Sequence, residues 1–90
     1  MLKLVATKRF KKSLARCEKR GLDIPLFDKV AKLLIEEQPL PYHCRPHKLT
    51  GEYAGSWECH IKSDWLLIYS YENRKIIFED TGTHSDLFKL

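Results

Sequence analysis

All four histidines of this 90-residue chain lie after the segment Pro39-Leu40-Pro41, at His43, His47, His60 and His84. Histidine has an unperturbed pKa of ~6.5, so it can both accept and donate a proton near neutral pH. Several histidines in one small domain, with Asp64 four residues after His60, are typical of general acid–base chemistry. The set therefore indicates proton transfer as the chemistry of this chain.

A zinc site is an alternative use of the same histidines. His43 and His47 have the i, i+4 spacing that on a helix would direct both rings at one ion. Pro41 and Pro46 interrupt that stretch, so a regular helix is not expected there. Structural zinc sites also usually contain more closely spaced ligand pairs. The sequence therefore favours a protein without a metal cofactor, with a zinc-stabilised domain as the alternative.

The cysteines and serines show no sign of nucleophilic catalysis. Cys17, Cys44 and Cys59 are odd in number and form no C-x-x-C pair, which is typical of reduced, buried thiols in a cytoplasmic protein. Nothing in the sequence marks one of them as an exposed, activated thiol. Ser63 and Ser85 have acidic neighbours, but neither lies in a nucleophile elbow.

Cleavage of RNA is a reaction that histidines and a carboxylate can carry out without a metal. RNA supplies its own nucleophile, the 2′-hydroxyl, so the protein has to provide only a base, an acid and positive charge. An aromatic ring can also hold an unstacked base, and Trp65 and Phe88 are candidates for that role. The alternative for Trp65 is packing in the core, and for Phe88 it is a position as a lid over the core.

Positive charge is concentrated at the start of the chain. Residues 1–20 contain eight Lys or Arg and one acid, a net charge of +7, whereas residues 21–90 have a net charge of −3. The cations that would form one surface are Lys8, Arg9, Lys11, Lys12 and Arg16. This cluster predicts contact with RNA or with an acidic protein segment, and the alternative is an ordinary solvated helix face.

The first forty residues read as a strand followed by two helices. Alternating apolar residues at the start of the chain predict a short strand. Thr7 can cap a first helix, which Gly21 would stop. Asp23 can cap a second helix, which Pro39 and Pro41 would end. Two helices joined by a few residues form a hairpin, and each needs a surface to cover.

That surface is a predicted sheet in the second half of the chain. Strands are expected over residues 57–61, 66–71 and 75–81, with a tight hairpin connection at 72–74. The run Trp65–Tyr69 is apolar on both alternating sets, so it should form a central strand with helices on one side and a covered or functional surface on the other. The predicted fold is a two-layer α+β domain spanning residues 1–90, in which an N-terminal strand and a helical hairpin pack on a mainly antiparallel sheet.

No stretch of the sequence predicts contact with a membrane. The longest unbroken apolar run has five residues, far fewer than the ~20 of a spanning helix. The first residues pass quickly into a lysine-rich segment and lack the apolar stretch of a signal peptide. We therefore expect a cytoplasmic protein.

Three segments of the second half resemble one family of proteins. They read HKLTG at 47–51, CHIKSDWLLIY at 59–69 and TGTHSDLF at 81–88. Over nearly its whole length the chain resembles the RelE-type toxins of the RelE/ParE superfamily, from bacterial toxin–antitoxin systems, and it is most similar to their YafQ subgroup. Other RelE-type toxins rely mainly on arginine, lysine and a C-terminal tyrosine, so their mechanism does not transfer to this chain.

The resemblance implies a RelE-like fold and the toxin of a type II toxin–antitoxin system. Such toxins are mRNA interferases, metal-independent endoribonucleases that act on the ribosome (beside its 16S rRNA), cleave mRNA in the A site and leave a 2′,3′-cyclic phosphate. A cognate antitoxin silences them. By matching position, the active-site residues implied are His47, His60, Asp64, His84 and Phe88, with Trp65 adjoining. Of these, His47, His60, Asp64 and His84 are expected to be catalytic, and Trp65 and Phe88 to bind substrate. Lys48 stands where the subgroup often has proline, and we add it to the expected substrate-binding residues because of its charge.

Roles within that set follow from their chemistry. His84, on a glycine-containing turn, is expected to transfer a proton at the attacking or the leaving oxygen. Asp64 is expected either to fix the tautomer of a nearby imidazole or to act as the base itself. His47 would stabilise developing phosphorane charge while protonated, and Lys48 would either add charge there or lie on the surface. His43 lies outside the matched set, and we expect it at the surface.

A second class of function remains open at this point. A toxin or binding module of the same fold could act without cutting RNA, as toxins directed at DNA gyrase do. The complete set of histidines and the aspartate favours the nuclease, because a protein that only binds has no need of them.

Overall fold

The structure, a computed structural model, describes residues 1–88. Along the chain its elements are β1 (Lys3–Ala6), α1 (Lys8–Lys19), α2 (Ile24–Ile35), β2 (His47–Lys48), β3 (Trp57–Lys62), β4 (Trp65–Glu72), β5 (Lys75–Gly82) and α3 (His84–Phe88). Over these residues the strands form a sheet in the order β1-β5-β4-β3-β2. β1 runs parallel to β5, and the other neighbouring pairs are antiparallel. The predicted α+β architecture is confirmed.

The caps of the helical hairpin lie where the sequence predicts them. The Thr7 side chain accepts a hydrogen bond from the N–H of Phe10, and the Asp23 side chain accepts one from the N–H of Leu26. Both bonds satisfy a backbone donor that would otherwise be unpaired in the first turn of a helix.

The end of α2 is not where the sequence predicts it. The helix ends at Ile35, before Pro39 and Pro41 are reached. Glu37 adopts a left-handed conformation with φ 58°, its N–H bonds to the carbonyl of Leu34, and the N–H of Gln38 reaches back to Leu33. These two bonds form a Schellman motif, so the backbone closes the helix itself and the prolines only follow it.

A two-residue turn, Asn73-Arg74, joins β4 to β5. Glu72 pairs with Lys75 across it, and the two turn residues have φ values of 48° and 63°. Positive φ at both central positions is the requirement of a type I′ turn, whose twist matches that of antiparallel strands.

Strand β4 is buried on both faces of the sheet, as its uninterrupted apolar run predicts. Toward the hairpin, Trp65, Leu67 and Tyr69 join the main core. On the other face, Leu66 and Ile68 form a second, smaller cluster with α3 and with the segment between β2 and β3. The sheet therefore has a helical face and a second face that is only partly covered.

Strand β5 carries a bulge where it leaves β1. Ile68 pairs with Asp80 and Tyr69 pairs with Phe78, so Glu79 is an extra residue on β5. The pairing with β1 ends at Phe78, and from there the strand is bordered by α1. The Thr7 hydroxyl donates to the Glu79 carbonyl, and a side chain of α1 bonds to Asp80. Helix α1 therefore lies at the edge of the sheet and borders its second face.

Trp65 belongs to the main core, which corrects its assignment as a substrate-binding residue. It is 2% exposed, and its ring stacks on that of Phe27 with centroids 6.0 Å apart. Its indole N–H donates to the Thr81 hydroxyl at 3.0 Å, and that hydroxyl donates to the carbonyl of Leu66. A ring enclosed in this way has no free face on which a base could stack.

None of the helices in residues 1–88 is long and apolar enough to span a membrane.

We predict that Trp65→Phe lowers the free energy of unfolding by about 1–3 kcal/mol, because the smaller ring leaves a void and the bond to Thr81 is lost. Chemical denaturation followed by circular dichroism measures the change. Tyr71→Phe is the matched control, since Tyr71 lies on the same strand but is 51% exposed. Equal stability of Trp65→Phe and the parent would contradict the structural role of this ring.

Candidate active site

The predicted histidines meet on the second face of the sheet, opposite the helical hairpin. Alternate residues of a strand share a face, so Glu58 and His60 of β3 point to the same side. His47 of β2 lies directly opposite Glu58 in the strand register. His84 reaches the group from the start of α3, and its ring centroid is 5.9 Å from that of His60. Three elements distant in the sequence thus supply one cluster.

Asp64 orients His84. It lies in the turn between β3 and β4, and its Oδ1 accepts hydrogen bonds from the His84 backbone N–H at 3.0 Å and from ring Nδ1 at 2.6 Å. The backbone bond and then the ring bond hold the pKa of the Asp64 carboxyl below its usual range. An ionised carboxylate can only accept, so Nδ1 carries the hydrogen and Nε2 of His84 is left for proton transfer.

The start of α3 is held by a reciprocal cap. The Asp86 carboxylate accepts from the N–H of Thr83, and the Thr83 hydroxyl accepts from the N–H of Asp86. Arg20, at the end of α1, donates to Asp86 at 2.7 Å, and this guanidinium keeps the Asp86 pKa well below its usual range. A Cβ on Gly82 would lie 2.8 Å from the same carboxylate, so the chain needs glycine here. These contacts fix the position of His84.

Glu58 is a member of the site that the sequence analysis did not identify. It is 6% exposed, and one of its carboxylate oxygens lies 3.3 Å from Nε2 of His47. One ligand atom each of Glu58, His60 and His84 lies within 4.8 Å of the other two. The sequence does contain the signal, because Glu58 precedes His60 by two residues and therefore shares its strand face. A buried carboxylate at this place is a second group able to exchange protons with the imidazoles.

His60 lies between these groups. Its Nδ1 is buried and makes no hydrogen bond to any atom of residues 1–88. A buried polar nitrogen without a protein partner is uncommon, and functional sites are one place where it occurs. Within the described residues, the position of His60 is therefore set by packing and not by a hydrogen bond at Nδ1.

Phe88 lies next to His84, with ring centroids 6.3 Å apart. It also meets the ring of Tyr53 edge to face at 5.6 Å, and the Tyr53 hydroxyl donates to the carbonyl of Leu87 at 3.1 Å. Phe88 is only partly buried, so part of its surface is available. It also packs against the second hydrophobic cluster, so its substrate-binding role stays a prediction beside the alternative of a lid over the core.

Lys48 lies on the other side of β2, which corrects its place in the predicted site. Neighbouring residues of a strand point to opposite faces, and His47 faces Glu58. The Lys48 ammonium is instead 5.6 Å from the ring centroid of Trp57, which packs against the main core on the helical face. Lys48 therefore cannot add charge to the histidine cluster in this arrangement.

The remaining candidates separate by position. His43 is exposed and lies outside the cluster, as expected. Lys8, Arg9, Lys12 and Arg16 line a groove of about 1070 Å³ between α1 and the second face, whereas Lys11 does not.

The cysteines at positions 17, 44 and 59 are free and buried. Burial raises the pKa of each thiol, which agrees with inert, structural cysteines.

A metal ion would find its donors at Glu58, His60 and His84. One ligand atom of each lies within 4.8 Å of the other two, and zinc bonds to imidazole nitrogen and carboxylate oxygen are ~2 Å long, so the three form a candidate set of ligands for one ion. The zinc pair considered from spacing, His43 and His47, is not the cluster that the fold assembles.

Comparisons with known proteins show the family of this chain. The family model described as bacterial toxin of type II toxin–antitoxin system, YafQ, matches residues 2–89. The mRNA interferase toxin YafQ of Escherichia coli K12 is 35% identical over 80 residues, which cover 88% of this chain and 87% of that protein.

Two solved structures of similar proteins overlay on nearly the whole chain. A copper-bound mutant toxin from Helicobacter pylori has a TM-score of 0.92 at 34% identity, covering 98% of this chain and 100% of that one. The E. coli DinJ–YafQ complex has a TM-score of 0.89 at 31% identity, with coverages of 98% and 99%. With a histidine–carboxylate cluster at the motifs that carry the resemblance, the chain belongs to the YafQ family of bacterial type II toxin–antitoxin toxins.

Proposed function

We propose that this toxin is an mRNA interferase, a metal-independent endoribonuclease that cleaves mRNA in the ribosomal A site and so stops translation in the cytoplasm. The observation that carries the proposal is the bond between ionised Asp64 and Nδ1 of His84, which leaves Nε2 for proton transfer beside His60. The related E. coli protein is named an mRNA interferase toxin. We propose further that residues 1–90 act as one toxin domain.

The reaction that fits the cluster uses the RNA as its own nucleophile. The 2′-hydroxyl attacks the adjacent phosphorus, the bond from phosphorus to the 5′ oxygen breaks, and the products are a 2′,3′-cyclic phosphate and a free 5′-hydroxyl. One group has to take the 2′ proton, another has to protonate the leaving 5′ oxygen, and positive charge has to stabilise the phosphorane. These steps need three to four polar groups around one phosphate.

The cluster supplies groups for each of these tasks. His84 transfers a proton through Nε2 while Asp64 holds the ring in place. Glu58 and His60, with ligand atoms within 4.8 Å of those of His84, provide the second proton-transfer group. His47, when it carries a proton, forms an ion pair with Glu58 and places positive charge at the edge of the cluster. Asp64 acts here as an orienting group, since its lowered pKa makes it a weak base.

The ribosome and an antitoxin are the proposed partners. The site lies on one open face of a small sheet, so presentation of mRNA by the ribosome would supply positioning that the protein does not provide alone. Toxins of this family belong to toxin–antitoxin systems, and the E. coli relative has been solved as a complex with DinJ. We propose that a cognate antitoxin silences this toxin by covering the histidine cluster.

Loss of the His84 imidazole should slow cleavage without unfolding the protein. We expect His84→Ala to cut ribosome-bound mRNA about 100- to 10,000-fold more slowly in single-turnover assays, because a proton-transfer group is removed. A thermal melt checks the fold, and His84→Gln keeps a polar side chain if alanine perturbs α3. His43→Ala is the control, since His43 is an exposed histidine outside the site. Cleavage by His84→Ala at the parental rate would remove this residue from the mechanism.

Production of the toxin alone should arrest growth by stopping protein synthesis. We expect incorporation of labelled amino acids to fall within minutes of induction, and to be restored when the cognate antitoxin is made as well. The His84→Ala variant should leave incorporation near its uninduced level. A parent protein that arrests growth while amino-acid incorporation continues, with DNA synthesis stopping instead, would favour the non-nuclease alternative.

A transition metal bound at Glu58, His60 and His84 should inhibit the toxin, because the ion would occupy the lone pairs that proton transfer needs. The observations behind this are the three converging donors and the copper-bound H. pylori relative. We expect Cu²⁺ to block cleavage reversibly, with activity restored by a chelator. Glu58→Gln should bind Cu²⁺ at least ~10-fold more weakly by calorimetry. Equal Cu²⁺ affinity of this variant and the parent would place the metal elsewhere.

A further inference from the structure

The groove beside the histidine cluster has a cationic wall and an aromatic end. It encloses about 1070 Å³, and its lining includes Lys8, Arg9, Lys12 and Arg16 of α1 together with Tyr53 and Phe88. Sites for small ligands usually measure ~300–1,000 Å³, so this groove is large enough for an extended ligand. Phe88, which lines the groove, lies next to His84 with ring centroids 6.3 Å apart, so the groove adjoins the proposed catalytic group.

The cations of the wall share one side of α1. Lys8, Lys12 and Arg16 follow each other at intervals of four residues, which places them one above another on a helix, and Arg9 is adjacent. All four are exposed, and none forms an ion pair within residues 1–88. Successive cations of this row are about one helical turn, ~5–6 Å, apart along the helix.

The acids in the groove do not cancel this charge. The carboxylate of Asp86 is already paired with Arg20, which lies outside the lining. Asp80 accepts hydrogen bonds from the Ser13 hydroxyl and the Thr81 N–H, and so is held against the wall. The third acid, Glu52, is exposed at the opposite side, on the segment between β2 and β3.

From this arrangement we propose that the groove binds the single-stranded RNA next to the cleaved phosphate, with its backbone along α1 and a base against Tyr53 and Phe88. Cationic walls combined with aromatic rings are the usual features of surfaces that bind single strands. The inference rests on the proposed function, and it makes Tyr53 a substrate-binding residue. It also predicts that Lys11, unlike the other four cations, does not contact this RNA, because Lys11 lies outside the groove.

The test measures binding without cleavage. A fluorescent, fully 2′-O-methylated RNA oligonucleotide has no nucleophilic hydroxyl, so its anisotropy at low salt reports binding alone. We expect the double variant Lys12→Ala/Arg16→Ala to bind at least ~10-fold more weakly and to lower the salt slope by about 1.4, since ~0.7 is lost per phosphate contact on a single strand. Tyr53→Leu should weaken binding ~5-fold or more while leaving the salt slope unchanged.

The matched control is Lys11→Ala/Lys29→Ala, which removes the same charge from exposed positions outside the groove. It should bind within ~2-fold of the parent after allowance for the lower net charge. Equal losses in the two double variants, or no measurable binding by the parent at low salt, would overturn the proposal. Binding of an acidic peptide instead of RNA, with the same dependence on Lys12 and Arg16, would assign the groove to a protein partner and also overturn it.

Failure of this inference can be told apart from failure of the proposed function. A protein that cleaves ribosome-bound mRNA, but whose groove and control variants are equally active and bind RNA equally, retains the proposed function and loses the groove. A protein that binds the methylated RNA through the groove but cleaves nothing retains the groove and loses the proposed nuclease activity.

Discussion

Strand β4 has to be covered on both faces, and the rest of the structure follows from that constraint. Residues 65–69 are all apolar and all buried, so neither side of this strand can face water without a large loss of hydrophobic free energy. The helical hairpin covers one side. The other side is covered by Leu87 of α3 and by Leu49 and Tyr53 from the segment before β3. This second cover is small, and beside it His60 of β3 is only partly buried.

The histidine cluster lies at the border between this small second core and solvent. His60 pairs across the sheet with Leu66, and Glu58 pairs with Ile68, so the polar groups lie beside buried apolar ones. A carboxylate in such surroundings is stable only when it has a polar partner, and for Glu58 that partner is His47. The same short helix that covers β4 also carries His84 and Phe88, which couples the folding of the second core to assembly of the site.

Two carboxylates near the site have different tasks because their surroundings differ. Asp64 is largely exposed and accepts two bonds from one residue, so it orients His84 and stays ionised. Asp86 is mostly buried and bonds to Arg20 and Thr83, so it ties α3 to the end of α1. Through this link the basic helix and the catalytic candidates have a fixed relative position, which a groove that joins them requires.

Local features were predictable from the sequence because they depend on neighbouring residues. The caps at Thr7 and Asp23 and the two-sided burial of β4 lie where the patterns indicate them. The end of α2 was not predictable in this way, because a Schellman motif can also form with a residue other than glycine in the left-handed conformation, here Glu37. The motifs also identified His47, His60, Asp64 and His84 as one group, and the fold brings them to one face.

The sequence by itself determined the family and the fold class, because these depend on residue types and short spacings, and it predicted which imidazoles form the site. Only the tertiary structure decided which side of a strand each residue uses. Neighbouring residues of a strand point to opposite faces of the sheet, so a shift of one position moves a side chain to the other face. Lys48 therefore lies over the ring of Trp57, and Trp65 is buried against Phe27. The tertiary structure also decided that His47 lies opposite Glu58, because that requires the pairing of β2 with β3. Long-range pairings of this kind are set by packing of the whole chain, and no local pattern encodes them.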